Sequence, residues 1–475
     1  MCRVRGVQAA GALAHRQPAR WLGRIALLLP PAMASLPAEP APAPATAGGS
    51  RQLQRSTGLA GALVIGLGSI LGTGVFVSLA LAAAPAGEAL PLAILLAVLL
   101  AGANGLSAAQ LAAAMPVSGG SYEYGHRLLS PLAGFAAGWL FLCAKTASAA
   151  AAALGLAAYL GALLGVDGAA LRWWPPLLVA LITAAALAGL RRSQWLNSLL
   201  VAGALLSLAL FVLGAFSLSV LPTAAGALPP TGPGGLAQAT ALLFVAYTGY
   251  GRIATMGEEV LRPERTIPRA VLLTLAVVLL VYLAVAAGTL RLAGPAGLAA
   301  SLGRAGTPTP PLARLLLDAG WGWGSWVVAL GAVLALAGVL LNLVLGLSRV
   351  WLAMGRRGDM PPGLAALNAC GTSPQAAVLL SGVLIALLSL GGRLELTWGF
   401  SAFTVLGYYA ITNLCVLRLQ PQQRSFPQVL AWLGLLGCLG LAFQVPPAAW
   451  RTGLLVLAVG VLWRWAYRSL RPSAP

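Results

Sequence analysis

The sequence predicts an all-α polytopic membrane protein of twelve transmembrane helices, arranged as two five-helix repeats of inverted topology with two further helices at the C-terminal end. Three observations point there. Only 8% of the 475 residues are charged while 59% are hydrophobic, and a soluble domain carries about 25% charged residues. Most of the surface must therefore face something other than water. From Leu59 onward, apolar stretches of spanning length, about 20 residues, alternate with short polar or Pro/Gly-rich breaks. Finally, the first and the sixth of these stretches are interrupted by glycines, and interrupted helices at corresponding positions of two halves are the sequence sign of a binding site between repeats.

Residues 1–56 stand apart. They are rich in Arg, Pro and Ala and end in LPAEPAPAPATAGGSRQLQRST, a composition that forms no packed core. They are expected to be a disordered basic tail, with translation from Met33 as an alternative start. The run IALLLPPAMA imitates a signal peptide but is short and broken by Pro30 and Pro31. The spans are placed at 59–82, 89–114, 131–163, 174–190 and 196–220 in the first repeat (57–220), and at 236–256, 270–290, 323–351, 375–391 and 396–416 in the second (236–416). Two more lie at 427–443 and 448–466, followed by a tail at 467–475. In the long connection 292–322, PLARLLLDAG places Leu312, Leu315 and Leu316 on one helical face; a short helix and a plain linker are both open.

Arginines set the orientation. With the N-terminus inside, sixteen fall on the cytoplasmic side, among them Arg191, Arg192, Arg356 and Arg357, and six on the outer side. This bias predicts an integral plasma (inner) membrane protein with both termini cytoplasmic. It also accounts for the net charge of +19 without nucleic acid as a partner. The five cysteines lie scattered in or beside apolar runs, and the two histidines, His15 and His126, are far apart. No metal spacing results, and no cofactor or metal is expected.

The candidate chemistry sits in GLGSILGTG, residues 66–74, where four glycines occupy the middle of an uncharged stretch. Each glycine weakens a helix by about 0.5–1 kcal/mol relative to alanine. Inside a bilayer, unwound backbone is tolerated only where protein or a water-filled cavity satisfies it. Freed N–H groups there can receive a carboxylate and freed carbonyls an ammonium. Gly68 and Gly72 also fit a GxxxG packing face, and the glycines alone leave both readings open. The second interrupted span, FVAYTGYG at 244–251, with Gly249 and Gly251 among aromatics, favours the binding site.

These residues also carry a family resemblance. GLGSILGTGVF resembles the first-helix motif of the amino acid–polyamine–organocation (APC) permeases. MPVSGGSYEYGHRLLSPLAGFAAGW is similar to their approach to helix three, FVAYTGYGRIATMGEEVLRPERTIPRAV to their sixth helix and following loop, and LSRVWLAMGRRGDMPPGLAALN to the end of their eighth. The four motifs occur in family order and span most of 57–420. The resemblance implies the leucine-transporter-like fold and an amino acid substrate. Its carboxylate would meet backbone N–H groups of Gly72, Thr73 and Gly74 near the Ser69 hydroxyl. Its ammonium would meet carbonyls near Ile70, Phe244, Ala246 and Tyr247, beside Gly249. Phe244 and Tyr250 are candidates for an aromatic wall or gate. For each side chain, ordinary helix packing is the plain alternative.

Lys145, the only lysine of the chain, lies deep in the third span within GWLFLCAKTASAAAAALG. An ionisable group there is costly and a functional-site hypothesis by default; snorkelling or a static pair is the bland reading. Some proton-coupled relatives instead carry a lysine in helix five, near Ala204, where this span is uncharged. Either Lys145 supplies a proton-coupling group from another helix, or coupling differs or is absent. Arg252 follows the second break and is a candidate for selectivity, or for pairing with Glu258 or Glu259 in an inner salt-bridge latch.

Together these features predict a secondary transporter moving an amino acid by alternating access with proton symport. An exporter or exchanger is the alternative within transport, and an amino acid-binding membrane sensor the alternative outside it. No GxxxxGK[ST] phosphate loop is present. The two intramembrane ionisable groups supply no nucleophile–base pair, so an enzyme is not expected.

Overall fold

The computed structural model describes residues 57–115, 119–166, 168–189, 194–222, 232–254, 260–303, 309–368, 373–391 and 393–470. The tail 1–56, the C-terminal residues 471–475 and the candidates Glu258 and Glu259 lie outside the described residues. Among those described, the regular structure is helical, with one isolated bridge joining Thr57 and Val260.

The first span is two half-helices, α1 (Leu59–Ile70) and α2 (Leu79–Ala86), separated by a turn and a π-helical stretch over Gly74–Ser78. Then follow α3 (Leu90–Ala114), the short α4 (Ser121–Leu128) and the long α5 (Pro131–Leu164). The start of α5 is written in SPLAG: the Ala133 amide donates to the Ser130 hydroxyl at 3.1 Å, and Pro131 occupies the first turn. Its end is Gly165, in the left-handed conformation that closes many helices. The SGG turn before α4 places Gly119 (φ 116°) and Gly120 (φ 54°) where a side chain would be strained.

The chain continues through α6 (Trp174–Leu187), α7 (Gln194–Ser217), a second interrupted helix formed by α8 (Pro233–Tyr247) and α9 (Gly251–Ala254), and α10 (Pro263–Ala300). Helix α10 runs past the expected end at 290 because it bends rather than stops: Gly294 (φ 66°) breaks the helical path and Pro295 follows it. In the connection beyond, α11 (Pro311–Asp318) is a helix, with Leu312, Leu315 and Leu316 buried. Last come α12 (Gly322–Arg356), α13 (Gln375–Ser389), α14 (Leu394–Leu417), α15 (Gln428–Ala442) and α16 (Pro447–Ser469).

Seven helical runs among the described residues are long and apolar enough to cross a membrane, Leu59–Ala114 counting as one; α15 and α16 together form a further apolar pair bent by 112°. Helix α13, at 15 residues, is apolar but shorter than a full span. The exterior matches a lipid solvent. Leu199, Leu206 and Leu213 form one exposed stripe on α7, and Leu379, Val383 and Leu387 another on α13, an arrangement that water would penalise and hydrocarbon does not. The chain is an integral membrane protein.

At the centre, α5 packs against α12 and α14, while α3 packs against α10 and α14 against α15. One polar knot lies in this interior. The Asn413 amide donates to Asn104 Oδ1 at 2.7 Å and to the Tyr409 carbonyl at 2.9 Å, and Asn104 donates to the Leu100 carbonyl at 2.8 Å. Asn413→Ala would leave the buried Asn104 oxygen with only the Cys438 thiol at 3.5 Å. A loss of about 1–3 kcal/mol is expected, read as a lower melting temperature in detergent.

Candidate functional site

The α-helical pattern fails at both glycine-rich stretches. Helix α1 ends where Leu71 turns to ψ 88°, although its amide still donates to the Leu67 carbonyl at 2.8 Å. The π-helical Gly74–Ser78 resumes with the Phe76 amide donating to the Gly72 carbonyl at 3.0 Å. The second break is a 3-10 turn over Thr248–Tyr250 between α8 and α9. Changes of helix type release backbone groups from the regular ladder. The two breaks touch: a Cβ on Gly249 would press into the Ser69 carbonyl and lie 2.6 Å from Ile70 Cγ1.

The glycines of GLGSILGTG serve close packing throughout. A Cβ on Gly66 would lie 2.6 Å from Ile253 Cδ1, one on Gly68 would lie 3.1 Å from Val201 Cγ2, one on Gly72 would lie 2.6 Å from Val339 Cγ2, and one on Gly74 would meet the Tyr282 hydroxyl. The packing and broken-helix readings thus hold together, since Gly72 also lies in the turn and Gly74 opens the π-helical stretch. Helix α7 is fastened here by Asn197, whose amide donates to the Val64 carbonyl at 3.0 Å. Ala204, three residues past Val201 on the same helix, is buried in packing.

Between the breaks lies a cavity of about 170 Å³. Of the residues singled out from sequence, Ser69, Ile70, Thr73, Gly74, Ala246, Gly249, Lys145 and Arg252 line it. Thr73 Oγ1 is buried and has no hydrogen-bond partner among the described residues. Gly72, Phe244, Tyr247 and Tyr250 are not in the lining. Those three aromatic residues are fully buried behind it: Phe244 meets Tyr409 edge-on and Tyr250 meets it tilted, each with ring centres 5.7 Å apart, and Tyr247 lies tilted against Tyr282 at 5.0 Å. The aromatic surface is supplied instead by Tyr408, Tyr409, Phe141 and Trp398, with Asn342 and Arg349 adding polar groups from α12.

Lys145 projects from α5 across the cavity to the second break. Its ammonium donates to Thr248 Oγ1 at 3.2 Å and lies 5.9 Å from the centre of the Phe141 ring. The Thr248 hydroxyl in turn donates to the Val245 carbonyl at 2.8 Å. The lining runs from these residues to the end of the bundle carrying Gly119, Tyr122 and Arg349. At the opposite end, the Tyr159 hydroxyl donates to the Phe76 carbonyl at 2.9 Å and accepts the Leu312 amide at 3.3 Å, plugging the path with buried side chains.

An ion-pair cluster holds the end at which α4 lies. Asp359, fully buried, accepts from the Tyr122 hydroxyl at 2.9 Å and from Arg464 Nε at 3.0 Å, with Arg468 at 3.0 Å and His126 Nε2 at 3.3 Å. Burial pushes its carboxyl up, but His126, Tyr122 and Arg464 outweigh burial and hold it down at about 2. Beside it, Arg357 grips Glu123 through two hydrogen bonds of 2.7 and 2.6 Å. These partners come from the quoted motifs around 115–139 and 347–368 and from α16; Glu258 and Glu259, the candidate partners of Arg252 in an inner latch, lie outside the described residues. Arg252 is engaged in an interaction of its own.

A bundle of apolar helices with a cavity at two facing breaks defines a membrane permease. The family profile described as amino acid permease matches residues 61–443. An uncharacterized transporter of Mycobacterium tuberculosis (strain ATCC 25618 / H37Rv) is 39% identical over 425 residues, covering 86% of this chain and 90% of that protein. A branched-chain amino acid permease of Bacillus subtilis (strain 168) is 26% identical, covering 84% and 90%. Cationic amino acid transporter 4 of Homo sapiens is 29% identical, covering 75% of this chain and 59% of its own. The chain belongs to the amino acid permease family of the APC superfamily, and is a transporter rather than an enzyme.

Proposed function

We propose that this protein is a secondary active transporter that carries an amino acid across the plasma (inner) membrane by alternating access, in symport with protons. The observation that carries this reading is the meeting of two broken helices at one cavity. There the peptide groups around Thr73 and Gly74 would receive the carboxylate, and carbonyls near Ile70 and Ala246 the ammonium. Twelve crossings, in two inverted repeats plus a C-terminal pair, would put α4 and both termini on the cytoplasmic side. The conformation described is then inward-facing, with Tyr159 and α11 closing the outer path. Lys145 is the group we assign to proton uptake, since its ammonium contacts Thr248 of the second break.

The test is uptake by the purified protein in proteoliposomes, using neutral, acidic and basic labelled amino acids, with and without an inward-directed proton gradient. At least one amino acid should accumulate, and a protonophore should collapse that accumulation to the exchange level. If no amino acid accumulates or exchanges, the transport reading fails; gradient-independent uptake would remove the proton from the mechanism.

A further inference from the structure

The names of the relatives range from branched-chain to cationic amino acids, so the amino acid class has to be argued from the cavity. Resting on the transport reading above, we propose that the substrate is an amino acid with an anionic side chain, a second carboxylate being received by the Lys145 ammonium.

Three observations lead there. First, the position of Lys145 is one a substrate side chain would reach. Its ammonium is 3.2 Å from Thr248 Oγ1, and Thr248 precedes Gly249, the residue pressed against the Ser69 carbonyl of the first break. A substrate holding its α-carboxylate and α-ammonium on those breaks would point a short side chain across to α5. The carboxylates of an acidic amino acid are separated by only two or three carbons between their carboxyl groups, which fits so short a crossing.

Second, Lys145 lines the cavity, and the contacts of its ammonium are a hydroxyl and a ring face. Neither neutralises it. Among the described residues no carboxylate pairs with Lys145. A buried charge is costly unless it is paired, and an anionic ligand group would provide that pair.

Third, the charge of the lining has one sign. Lys145, Arg252 and Arg349 line the cavity, and among the described residues it contains no Asp or Glu. The two arginines are engaged in contacts of their own, so Lys145 is the cation on which selection rests. A lysine or arginine substrate would have its side-chain cation placed toward this ammonium, and a leucine would leave it unpaired. Selectivity of this kind works by repulsion as much as by attraction.

The experiment compares labelled glutamate, aspartate, glutamine, leucine and arginine in the same proteoliposomes, for wild type, Lys145→Gln and Lys145→Arg. Wild type should take up the acidic amino acids in preference to the others. Because the same lysine is assigned to proton uptake, the variants are compared by counterflow exchange without a proton gradient, where Lys145→Gln should lower the glutamate-to-glutamine preference by about ten- to a hundredfold, the scale of one charge-assisted hydrogen bond. Lys145→Arg, which keeps the charge, should retain the preference for acidic substrates. Wild-type uptake of leucine or arginine in preference to glutamate and aspartate would overturn the proposal while leaving amino acid transport intact. An unchanged glutamate-to-glutamine ratio in a monodisperse Lys145→Gln protein would overturn it as well. Failure to move any amino acid would instead remove the transport reading on which it rests.

Discussion

Gly249→Ala is expected to eliminate uptake and to lower the melting temperature of the purified protein, with a stability loss of about 1–3 kcal/mol. The added methyl group would collide with the Ser69 carbonyl and approach Ile70 Cγ1 to 2.6 Å. A flexible side chain could swing aside, but a carbonyl at the end of α1 moves only if the half-helix moves. Relief of the clash must therefore separate the two breaks, at the point where the substrate's charged ends are to be held. Gly251→Ala provides the contrast. Its methyl group would find the Tyr409 hydroxyl at 3.3 Å as its nearest neighbour, a contact that a small side-chain shift accommodates. Its melting temperature should fall less than that of Gly249→Ala. Wild-type uptake by Gly249→Ala would show that close contact between the breaks is dispensable.

The same glycine contacts explain what the sequence revealed and what it concealed. GLGSILGTG and FVAYTGYG mark their positions because a charge-free apolar run has no reason to spend four glycines unless something must come close to the backbone. What comes close cannot be read from the run itself: Gly66 meets α9 and α10, Gly72 meets α12, and Gly74 meets Tyr282. Lys145 was legible because a single ionisable group in an apolar span is expensive. Its partner Thr248 was not, since a threonine at mid-span carries no such cost and commonly bonds a carbonyl of its own helix.

The aromatic lining was misplaced for a related reason. Phe244 and Tyr250 lie in the interrupted segment and are candidates for a wall or a gate; they do not line the cavity, and their side chains pack behind Tyr409. Sequence position places the backbone near the site without setting the direction of each side chain: Tyr250 lies in the 3-10 turn over Thr248–Tyr250, which rotates successive residues differently from an α-helix, while Phe244 lies on α8 with its side chain turned to α14. Tyr408 and Tyr409 come from α14, whose apolar pattern gives no sign of which face meets the cavity. A pair of adjacent tyrosines within so apolar a helix was the available clue.

Asp359→Asn should be the most destabilising single change at the α4 end. The carboxylate is fully buried and joins Tyr122 of α4, Arg464 and Arg468 of α16 and His126. Removing its charge while keeping its shape leaves Arg464, itself nearly buried, without a counterion, a change worth about 3–5 kcal/mol. The pair with Arg468 adds little, since that side chain is 46% exposed. The pH dependence follows from a carboxyl held at about 2 in the folded protein against an ordinary 3.8. A depressed folded-state value gives stability that is full above the ordinary value and is lost as pH falls through the folded one. Melting temperatures of wild type and Asp359→Asn should therefore differ by a constant amount at neutral pH and converge as the pH falls below about 4. Arg464→Met and the double variant complete a cycle. If the aspartate–arginine pair is the main tie, the double variant should be no less stable than Asp359→Asn alone, because the stranded charge is gone. Additive losses would instead assign the stability to Tyr122 and His126, and α16 would then be held to α5 chiefly by contacts such as the Trp139 indole donating to the Val456 carbonyl at 2.8 Å.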